Sequence, residues 1–462
     1  MAQASHPHAA PLEAPRRDLG RIARAEIEVR PLLLFVGGNN TGKTYLASLL
    51  WGLLSLTEEM PVARGVAYQR CAAWIEERFA RREQEPEFRI TPPIHADLVQ
   101  IVNETLREHG AALAERTFNR PGFKVGKIEL RDVALAKETS LLWGPIQHQG
   151  RPLTSLTMVG PDHLPSLNWW IPGSQEAPGA SFLDLVAMAY VVGGVGAGEP
   201  LAPFHDRPVF LPASRTGFML LYRSLAQQLV RDRLIKTGAA RPPAPDLTQP
   251  AIDFIDMLVG LRPEQGAFPM EASLLERAMG GRLALRSGGS LHEVVYEHTE
   301  GEPALPMELS SSLVTELAPV VVTLRHVIGY RVLIIEEPEA HLHPRLQRLL
   351  AQVIVRLVRK GLFVWITTHS ENFCQQINNF MKLGAHPRRA EMQRKYGYEE
   401  NDYLEVDDVA GYQFEADPSS GGRTTVTEIK KTESGLVMPT FNRELAALTD
   451  EAMDLERLDG EG

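Results

Sequence analysis

The stretch "LLLFVGGNNTGKTYLASLLWGLL", residues 32–54, joins a continuous apolar run to a glycine-rich turn and then to leucines at helical spacing. The run indicates a buried strand, and the leucines indicate a helix. Between them, "GGNNTGKT" (residues 37–44) satisfies the pattern G-x-x-x-x-G-K-[S/T], in which backbone N–H groups turn toward phosphate oxygens. A chance glycine-rich turn is the weaker alternative, because the flanking strand and helix are those that phosphate binding requires. The residues predicted to bind the phosphates are Gly37, Asn39, Asn40, Thr41, Gly42, Lys43 and Thr44.

Two side chains of this loop have chemical roles of their own. Lys43 is predicted to reach the β- and γ-phosphates, and the Thr44 hydroxyl is predicted to bind Mg²⁺. The N-terminus of the following helix adds its positive dipole end. The loop therefore predicts a nucleoside triphosphate held together with Mg²⁺.

Residues 332–346, "VLIIEEPEAHLHPRL", place two acidic residues at the end of a second apolar run. Adjacent buried carboxylates are costly unless a positive or hydrogen-bonding group meets them, and a Mg²⁺ nucleotide is such a group. We therefore expect Glu336 to hold the ion, through water, and Glu337 to orient and polarise the attacking water. A solvated acidic strand end is the alternative, and the phosphate loop weighs against it.

A third apolar run, "FVWITTHSE" (residues 363–371), ends at His369. This histidine is predicted to donate a hydrogen bond to the γ-phosphate; a purely structural histidine is the alternative. His341 and His343 also suggest a metal site, but no cysteine or third histidine lies nearby at ligand spacing, so we do not predict one.

The order of strand, helix and strand indicates the fold class. "RVLIIEE" (residues 331–337) and "LFVWITTHS" (residues 362–370) read as buried strands, and an amphipathic helix pattern separates them. Buried strands joined by helices imply a parallel sheet. We therefore predict an α/β P-loop NTPase with a mostly parallel sheet and a helical or mixed insertion.

Composition limits the class of protein and its partners. The length of 462 residues predicts two or three structural units. The net charge of -10 gives no support for a surface that coats nucleic acid. Two cysteines, Cys71 and Cys374, fit a reducing compartment. Residues 1–18 read as a disordered tail rather than a secretory signal, and residues 180–198 as a buried helix rather than a membrane span. We expect a cytoplasmic protein with no membrane partner.

These motifs resemble those of the ATP-binding cassette (ABC) ATPases. "GGNNTGKT", "LIIEEPEAHLHP" and "ITTHS" are similar, in this order, to the RecF/SMC/OLD branch of predicted ATPases found in bacterial anti-phage defence and DNA-maintenance systems. The resemblance implies that Glu336 and Glu337 form the Walker B pair, that His369 is the switch histidine, and that "EAHLHP" is the D-loop at a dimer interface. It also implies ATP as the nucleotide, and two heads that enclose two ATP molecules. No aromatic residue in the sequence identifies itself as the one that stacks on the base.

The resemblance also gives the domain organisation. It covers roughly residues 19–56 and 205–380, which would form the two parts of an ABC-type ATPase head. Residues 57–204 would be an inserted helical or mixed domain, and residues 381–462 a small C-terminal module with an acidic tail. The C-terminal remainder contains no Asp-x-Asp pair, so we expect no Toprim nuclease of the kind that OLD proteins carry.

Two further segments are identified by the resemblance. "ELSSSLVTEL" (residues 308–317) occupies the position of the signature motif, although Leu313 stands where relatives usually have glycine. The absence of a glycine at Leu313 limits how closely the backbone can approach phosphate, and hence the rate of hydrolysis. The signature residues predicted to reach the nucleotide of a partner head are Ser310, Ser311 and Ser312.

The second segment, "PVFLPASRTGF" (residues 208–218), contains Arg215. This arginine is a candidate for contacting phosphate or the partner head; pairing with a structural carboxylate is the alternative.

The function expected from these motifs is an ATP-driven switch. ATP binding would close a dimer, and hydrolysis would reopen it and so control a partner effector, a nuclease or toxin encoded nearby. One alternative is a DNA-repair or chromosome-maintenance ATPase that binds DNA directly. Another is a nucleotide-gated binding protein with little turnover.

Overall fold

A central eight-stranded sheet organises the part of the chain that the computed structural model describes. The strands are β1 (Pro11–Leu12), β2 (Ile22–Glu26), β3 (Leu32–Gly37), β4 (Glu87–Arg89), β5 (Ser140–His148), β6 (Arg151–Val159), β7 (Pro165–Ile171), β8 (Val209–Leu211), β9 (Gly281–Gly288), β10 (Leu291–His298), β11 (Leu305–Pro306), β12 (Val332–Glu336), β13 (Phe363–Thr368), β14 (Val409–Asp417), β15 (Arg423–Glu428), β16 (Lys431–Thr432) and β17 (Gly435–Leu436). The helices are α1 (Lys43–Leu56), α2 (Val66–Ala80), α3 (Pro92–Phe118), α4 (Arg215–Leu234), α5 (Gln249–Gly260), α6 (Pro269–Met279), α7 (Ser312–His326), α8 (Pro344–Arg359), α9 (Glu371–Ala385) and α10 (Arg389–Tyr396). The described residues are 11–12, 21–56, 60–133, 140–148, 151–159, 165–171, 183–184, 187, 208–234, 247–263, 266–288, 291–301, 303–417, 422–432, 435–438, 447 and 449–455.

The strand order in the central sheet is β1-β2-β15-β14-β3-β13-β12-β8. The five strands from β14 to β8 are parallel to one another, and β2 is parallel to β15. Antiparallel pairing occurs between β14 and β15 and between β1 and β2. Strands β3 and β12 are buried along their whole length, as their continuous apolar runs require. The predicted α/β class with a mostly parallel sheet is confirmed.

Two apolar cores cover the two faces of this sheet. Successive side chains of a strand point to opposite faces, so Leu33 and Phe35 enter one core while Leu32 and Leu34 enter the other. The first core also contains residues of α1, α2 and α3, and the second contains residues of α4 to α9. Helix α1, which belongs to the predicted head, packs on the sheet, and α3 of the predicted insertion packs against α1 in the same core.

The register of the parallel strands aligns the three predicted motifs. Glu336 at the end of β12 pairs with Thr367 of β13, and Thr368 pairs with Val36, the residue before Gly37. The carboxyl ends of β3, β12 and β13 consequently lie side by side. Ligands of open α/β sheets bind at this edge.

The C-terminal part of the chain differs from the expected separate module. Strand β14 lies beside β3 in the central sheet, and β15 follows it toward β2. A Cβ atom on Gly37 would lie 2.4 Å from the Phe414 carbonyl oxygen, so the two strands meet very closely. Residues 409–428 thus belong to the main sheet, and the boundary predicted at residue 380 does not separate them from it. Sheet neighbours so distant in sequence leave no local signal in the chain.

The two predicted tails are only partly described. Pro11–Leu12 forms a strand paired with Ala25 and Glu26, so the predicted disordered tail of residues 1–18 contains a sheet element. Residues 449–455 are helical and exposed, whereas residues 456–462 of the acidic tail lie outside the described residues. The helix predicted over residues 180–198 also lies almost entirely outside them. No helix within the described part of the chain is long and apolar enough for a bilayer crossing.

Candidate nucleotide site

The phosphate loop (residues 37–44) runs from the end of β3 into the first turn of α1. Asn40 and Gly42 have φ angles of 63° and 96°, the left-handed region that favours asparagine and glycine. Gly38 is exposed, and a Cβ atom placed on it would meet no atom within 4 Å. The Thr41 hydroxyl donates to the Gly38 carbonyl at 2.9 Å, so it holds the loop itself. The loop thus presents an open backbone surface of the kind that phosphate binding uses.

Lys43 is buried beneath this loop. Its Nζ donates to the carbonyl oxygens of Gly37 and Gly38 at 2.8 and 2.7 Å, which leaves one ammonium proton for a phosphate oxygen. Burial lowers the pKa of Lys43, while the nearby carboxylates of Glu337, Glu339 and Glu336 act in the opposite direction. An anionic phosphate would favour the charged form in the same way as these carboxylates.

Glu336 has the environment expected of a cation ligand. Its side chain is buried, its Oε2 accepts from the Ala213 amide at 3.0 Å, and the Thr44 hydroxyl hydrogen-bonds to its carboxylate. Its Oε1 is buried and has no hydrogen-bond partner among the described residues. Burial raises the pKa of Glu336, because an uncompensated negative charge is unfavourable away from water. The oxygens of Thr44 and Glu336 fit Mg²⁺, which commonly takes one or two protein ligands beside water and phosphate.

Glu337 and His369 face the same edge of the sheet from adjacent strand ends. The Glu337 backbone has a φ angle of 42° and donates its N–H to the Thr367 carbonyl at 2.9 Å. His369 Nδ1 lies 3.7 Å from Glu337 Oε1, and the two side chains are 45% and 31% exposed. Both are therefore accessible to water and ligand, as a base acting on water and a hydrogen-bond donor to phosphate must be.

Arg215 occupies a different place from the one predicted for a phosphate contact. Its guanidinium is 1% exposed and donates to the carbonyl oxygens of Glu336 and Glu337 at 2.7 and 3.1 Å. A Glu316 carboxylate oxygen lies 3.9 Å away. Burial leaves no surface for phosphate, so in this structure Arg215 supports the end of β12. This arrangement is closer to the alternative given from the sequence, a structural arginine beside a carboxylate, than to a phosphate contact.

The predicted signature serines lie at the start of α7. Ser311 is its N-cap and accepts from the Val314 amide, and Ser310 donates to the Pro306 carbonyl at 3.1 Å. Ser311 and Ser312 are exposed, whereas Leu313 is half-buried against the second core. The leucine that replaces the usual glycine therefore contributes to packing. These serines bond within their own segment, and their approach to a nucleotide in a partner head stays a prediction.

The two histidines that suggested a metal site have structural positions. His343 is the N-cap of α8, where its Nδ1 accepts from the Arg345 amide at 3.3 Å. His341 has a φ angle of 56° in the preceding turn. No group of three or more His, Cys, Asp or Glu side chains placed to hold a metal ion occurs among the residues described.

Sequence reasoning gave no role to two features of this site. Glu339, quoted only as part of the D-loop segment, is buried and bonds to the turn that contains His369. Tyr45, the residue after Thr44, is 39% exposed and lies against Phe118 and Phe123 of the insertion, with ring centroids 5.4 and 6.0 Å away. The position of Tyr45, an aromatic residue directly after the G-K-T motif, was the sign in the sequence of this aromatic contact.

A family model matches part of the chain. It carries the description "AAA domain, putative AbiEii toxin, Type IV TA system" and covers residues 222–374, which include the predicted signature serines, Glu336, Glu337 and His369 but not the phosphate loop. The parallel sheet with the phosphate loop at its edge has the architecture of this class, and the partial match agrees with it. The fold is that of a P-loop ATPase. A search among curated proteins finds no significant match.

Three solved structures are similar in outline. An SmcHead bound to the C-winged helix domain of ScpA aligns with 92% of this chain and 98% of its own at 11% identity and a TM-score of 0.35. The SMC head domain from Thermotoga maritima aligns with 92% and 100% at 9% identity and a TM-score of 0.31. An Smc head domain with an extended coiled coil, bound to the C-terminal domain of ScpA derived from Pyrococcus furiosus, aligns with 97% and 99% at 10% identity and a TM-score of 0.33.

Proposed function

We propose that this protein binds and hydrolyses ATP with Mg²⁺ and uses the nucleotide to switch between two states. The observation that carries the proposal is the convergence of Lys43, Glu336, Glu337 and His369 at one edge of the sheet, with the buried Glu336 Oε1 lacking a partner among the described residues. A divalent cation would satisfy that oxygen and bring a triphosphate to the open loop.

The chemistry follows from the position of each group. Lys43 would bind the β- and γ-phosphates, and Thr44 with Glu336 would hold Mg²⁺, which supplies charge neutralisation on the phosphate oxygens. Glu337 would accept a proton from the attacking water, and His369 would donate a hydrogen bond to the γ-phosphate. ATP is proposed as the nucleotide from the resemblance to ABC ATPases.

The proposed output is the control of a partner. ATP would hold two heads together, with Ser310, Ser311 and Ser312 of one head at the γ-phosphate of the other, and hydrolysis would release them. The family model's description names a putative toxin of a type IV toxin–antitoxin system, which supports a bacterial defence setting. The nuclease or toxin that the ATPase would control is proposed from the resemblance to ATPases of defence systems.

One observation favours a second candidate, a nucleotide-gated binding protein with little turnover. Leu313 is half-buried in the second core, so the segment after the signature serines lacks the open glycine backbone of relatives. Steady-state ATPase activity that disappears in a Glu337→Gln variant would rule this candidate out. A direct DNA-binding ATPase is less favoured, because the net charge of the chain is -10.

The test of the proposed function is the binding of ATP and Mg²⁺ to a Lys43→Ala variant, measured by isothermal titration calorimetry. Loss of the buried ammonium should abolish measurable binding, while Lys395→Ala, which removes an exposed lysine on α10, should bind as the wild type does. Unchanged affinity in the Lys43→Ala variant would refute the nucleotide site. A Glu337→Gln variant should bind ATP normally and hydrolyse it at least about 10²-fold more slowly.

A further inference from the structure

Glu339 joins the two turns that carry the proposed catalytic pair. It lies in the turn of residues 337–343, here called the Glu337 turn, and its side chain is 3% exposed. Its Oε1 accepts from the Thr368 hydroxyl at 2.5 Å and from the amides of His369 and Ser370 at 3.0 and 3.1 Å. A single carboxylate oxygen thus holds the whole of residues 368–370, here called the His369 turn. Hydrogen bonds to a carboxylate are among the stronger ones in proteins.

A second set of bonds links the same two segments. The Ser370 hydroxyl accepts from the Phe373 amide at 3.2 Å, which caps α9, and donates to Gln347 Oε1 at 2.8 Å. Gln347 Nε2 in turn donates to the Leu342 carbonyl at 2.9 Å. The His369 turn is therefore bound to the Glu337 turn directly through Glu339 and, further along, through α8.

The imidazole of His369 depends on this backbone for its position. Its Nδ1 lies 3.7 Å from Glu337 Oε1 and 3.9 Å from Glu339 Oε1, and both distances exceed that of a hydrogen bond. The side chain is also 45% exposed, so packing constrains it only in part. The backbone amide of His369, held by Glu339, is the contact that fixes where the ring stands relative to Glu337.

We propose that Glu339 is a positioning residue for ATP hydrolysis. Its carboxylate fixes the His369 turn against the Glu337 turn, so that the histidine and the base face the same phosphate and water. This inference rests on the proposed function. A displacement of about 1 Å in such a constellation can cost roughly 10²-fold in rate. Nucleotide affinity depends mainly on the phosphate loop and should change little.

Two substitutions separate the hydrogen bonds of Glu339 from its charge. Glu339→Gln keeps an acceptor oxygen at the position of Oε1, whereas Glu339→Ala removes it. We expect the alanine variant to lose about 10²-fold in kcat with an ATP affinity within about threefold of wild type, and the glutamine variant to retain most of kcat. Glu371→Gln, which removes an exposed carboxylate two residues after His369, is the matched control and should leave kcat unchanged.

A double-variant cycle tests whether Glu339 acts through His369. If it does, Glu339→Ala combined with His369→Ala should be no slower than His369→Ala alone. The inference would be overturned by a double variant in which the two losses in kcat multiply. It would also be overturned by a wild-type kcat in Glu339→Ala, or by equal losses of kcat in the glutamine and alanine variants. If Glu339→Ala does not fold, Thr368→Val replaces it. This variant removes one of the three hydrogen-bond donors to Glu339 with little change in side-chain volume. It should lower kcat about tenfold, and an unchanged kcat would count against the proposal.

Failure of this inference is distinguishable from failure of the proposed function. If Lys43→Ala still binds ATP, or if Glu337→Gln hydrolyses it at the wild-type rate, the nucleotide site itself is wrong. If those two variants behave as expected and the Glu339 variants do not, only the positioning role is refuted.

Discussion

At Glu336, burial and charge oppose each other directly. Its carboxylate is buried with one oxygen unpartnered among the described residues, and burial raises its pKa above the ordinary value of 4.5. The hydrogen bonds from Thr44 and Ala213 compensate only in part. The site disfavours the Glu336 carboxylate alone and favours it beside a cation. It is therefore suited to a Mg²⁺ ion that arrives with its nucleotide.

This conflict predicts a pH-dependent effect of Glu336→Gln on stability. Because the folded pKa is raised, the stability contributed by the protonated carboxyl is fully present below about pH 4.5 and is lost as pH rises through the folded pKa. The glutamine variant should therefore melt at a higher temperature than wild type near pH 7.5 without nucleotide, by the equivalent of about 1–3 kcal/mol. The difference should shrink toward pH 4.5. Differential scanning calorimetry at both pH values measures it.

Mg²⁺-ATP provides the complementary control for this residue. It should raise the melting temperature of wild type and have a much smaller effect on Glu336→Gln, because the variant lacks the anionic ligand. A glutamine variant that melts below wild type at every pH, or that gains as much from Mg²⁺-ATP, would contradict the assignment of Glu336 as the cation ligand.

At the scale of elements, the contact between α1 and α3 joins the phosphate loop to the predicted insertion. A Cβ atom on Gly52 of α1 would lie 2.1 Å from the Thr117 hydroxyl oxygen of α3, a separation that real Cβ contacts do not show. Thr117 is buried and donates to the Leu113 carbonyl at 2.8 Å, so it has little freedom to move. Gly52→Ala should therefore destabilise the fold by about 1–3 kcal/mol, measured by urea unfolding.

Gly110→Ala is the matched control for this prediction. Gly110 is also a helical glycine, but a Cβ atom there would meet Ile128 at 3.7 Å, an ordinary van der Waals contact. Alanine in its place should stabilise α3 by about 0.5–1 kcal/mol, because glycine is unfavourable inside a helix. A Gly52→Ala variant as stable as Gly110→Ala would show that α1 and α3 do not meet as the structure has them.

The elements also show what the sequence reveals and what it does not. The strands that end at Gly37, Glu336 and Thr368 were predicted because each is a continuous apolar run before a polar motif, and such signals are local. The placement of β14 beside β3 depends on pairing between segments more than 370 residues apart, which no local pattern records. The burial of Arg215 and the bonds of Glu339 depend on the same tertiary contacts. Motif positions were therefore predictable, whereas the groups that support them were not.

On the scale of the whole molecule, three turns at one edge of the sheet lead into three different helices. The phosphate loop leads into α1, which packs on the insertion through α3; the Glu337 turn leads into α8, and the His369 turn into α9. A nucleotide bound at that edge would contact residues from all three turns. Its presence or absence can then bias their relative positions, since a ligand shifts a conformational equilibrium by its differential affinity for the two states.

The exposed N-terminus of α7 leads to a prediction about assembly. Ser311 and Ser312 stand at a helix N-terminus that a phosphate of a second head would meet. Multi-angle light scattering should show that Mg²⁺-ATP doubles the mass of Glu337→Gln, which binds ATP without hydrolysing it, and has a weaker effect on wild type. Ser312→Glu in the Glu337→Gln background should remain monomeric while still binding ATP, because a carboxylate there repels the γ-phosphate. An ATP-bridged dimer closed by the α7 serines would be refuted if the mass of Glu337→Gln did not change on adding ATP. It would also be refuted if the variant that carries Ser312→Glu as well still formed a dimer.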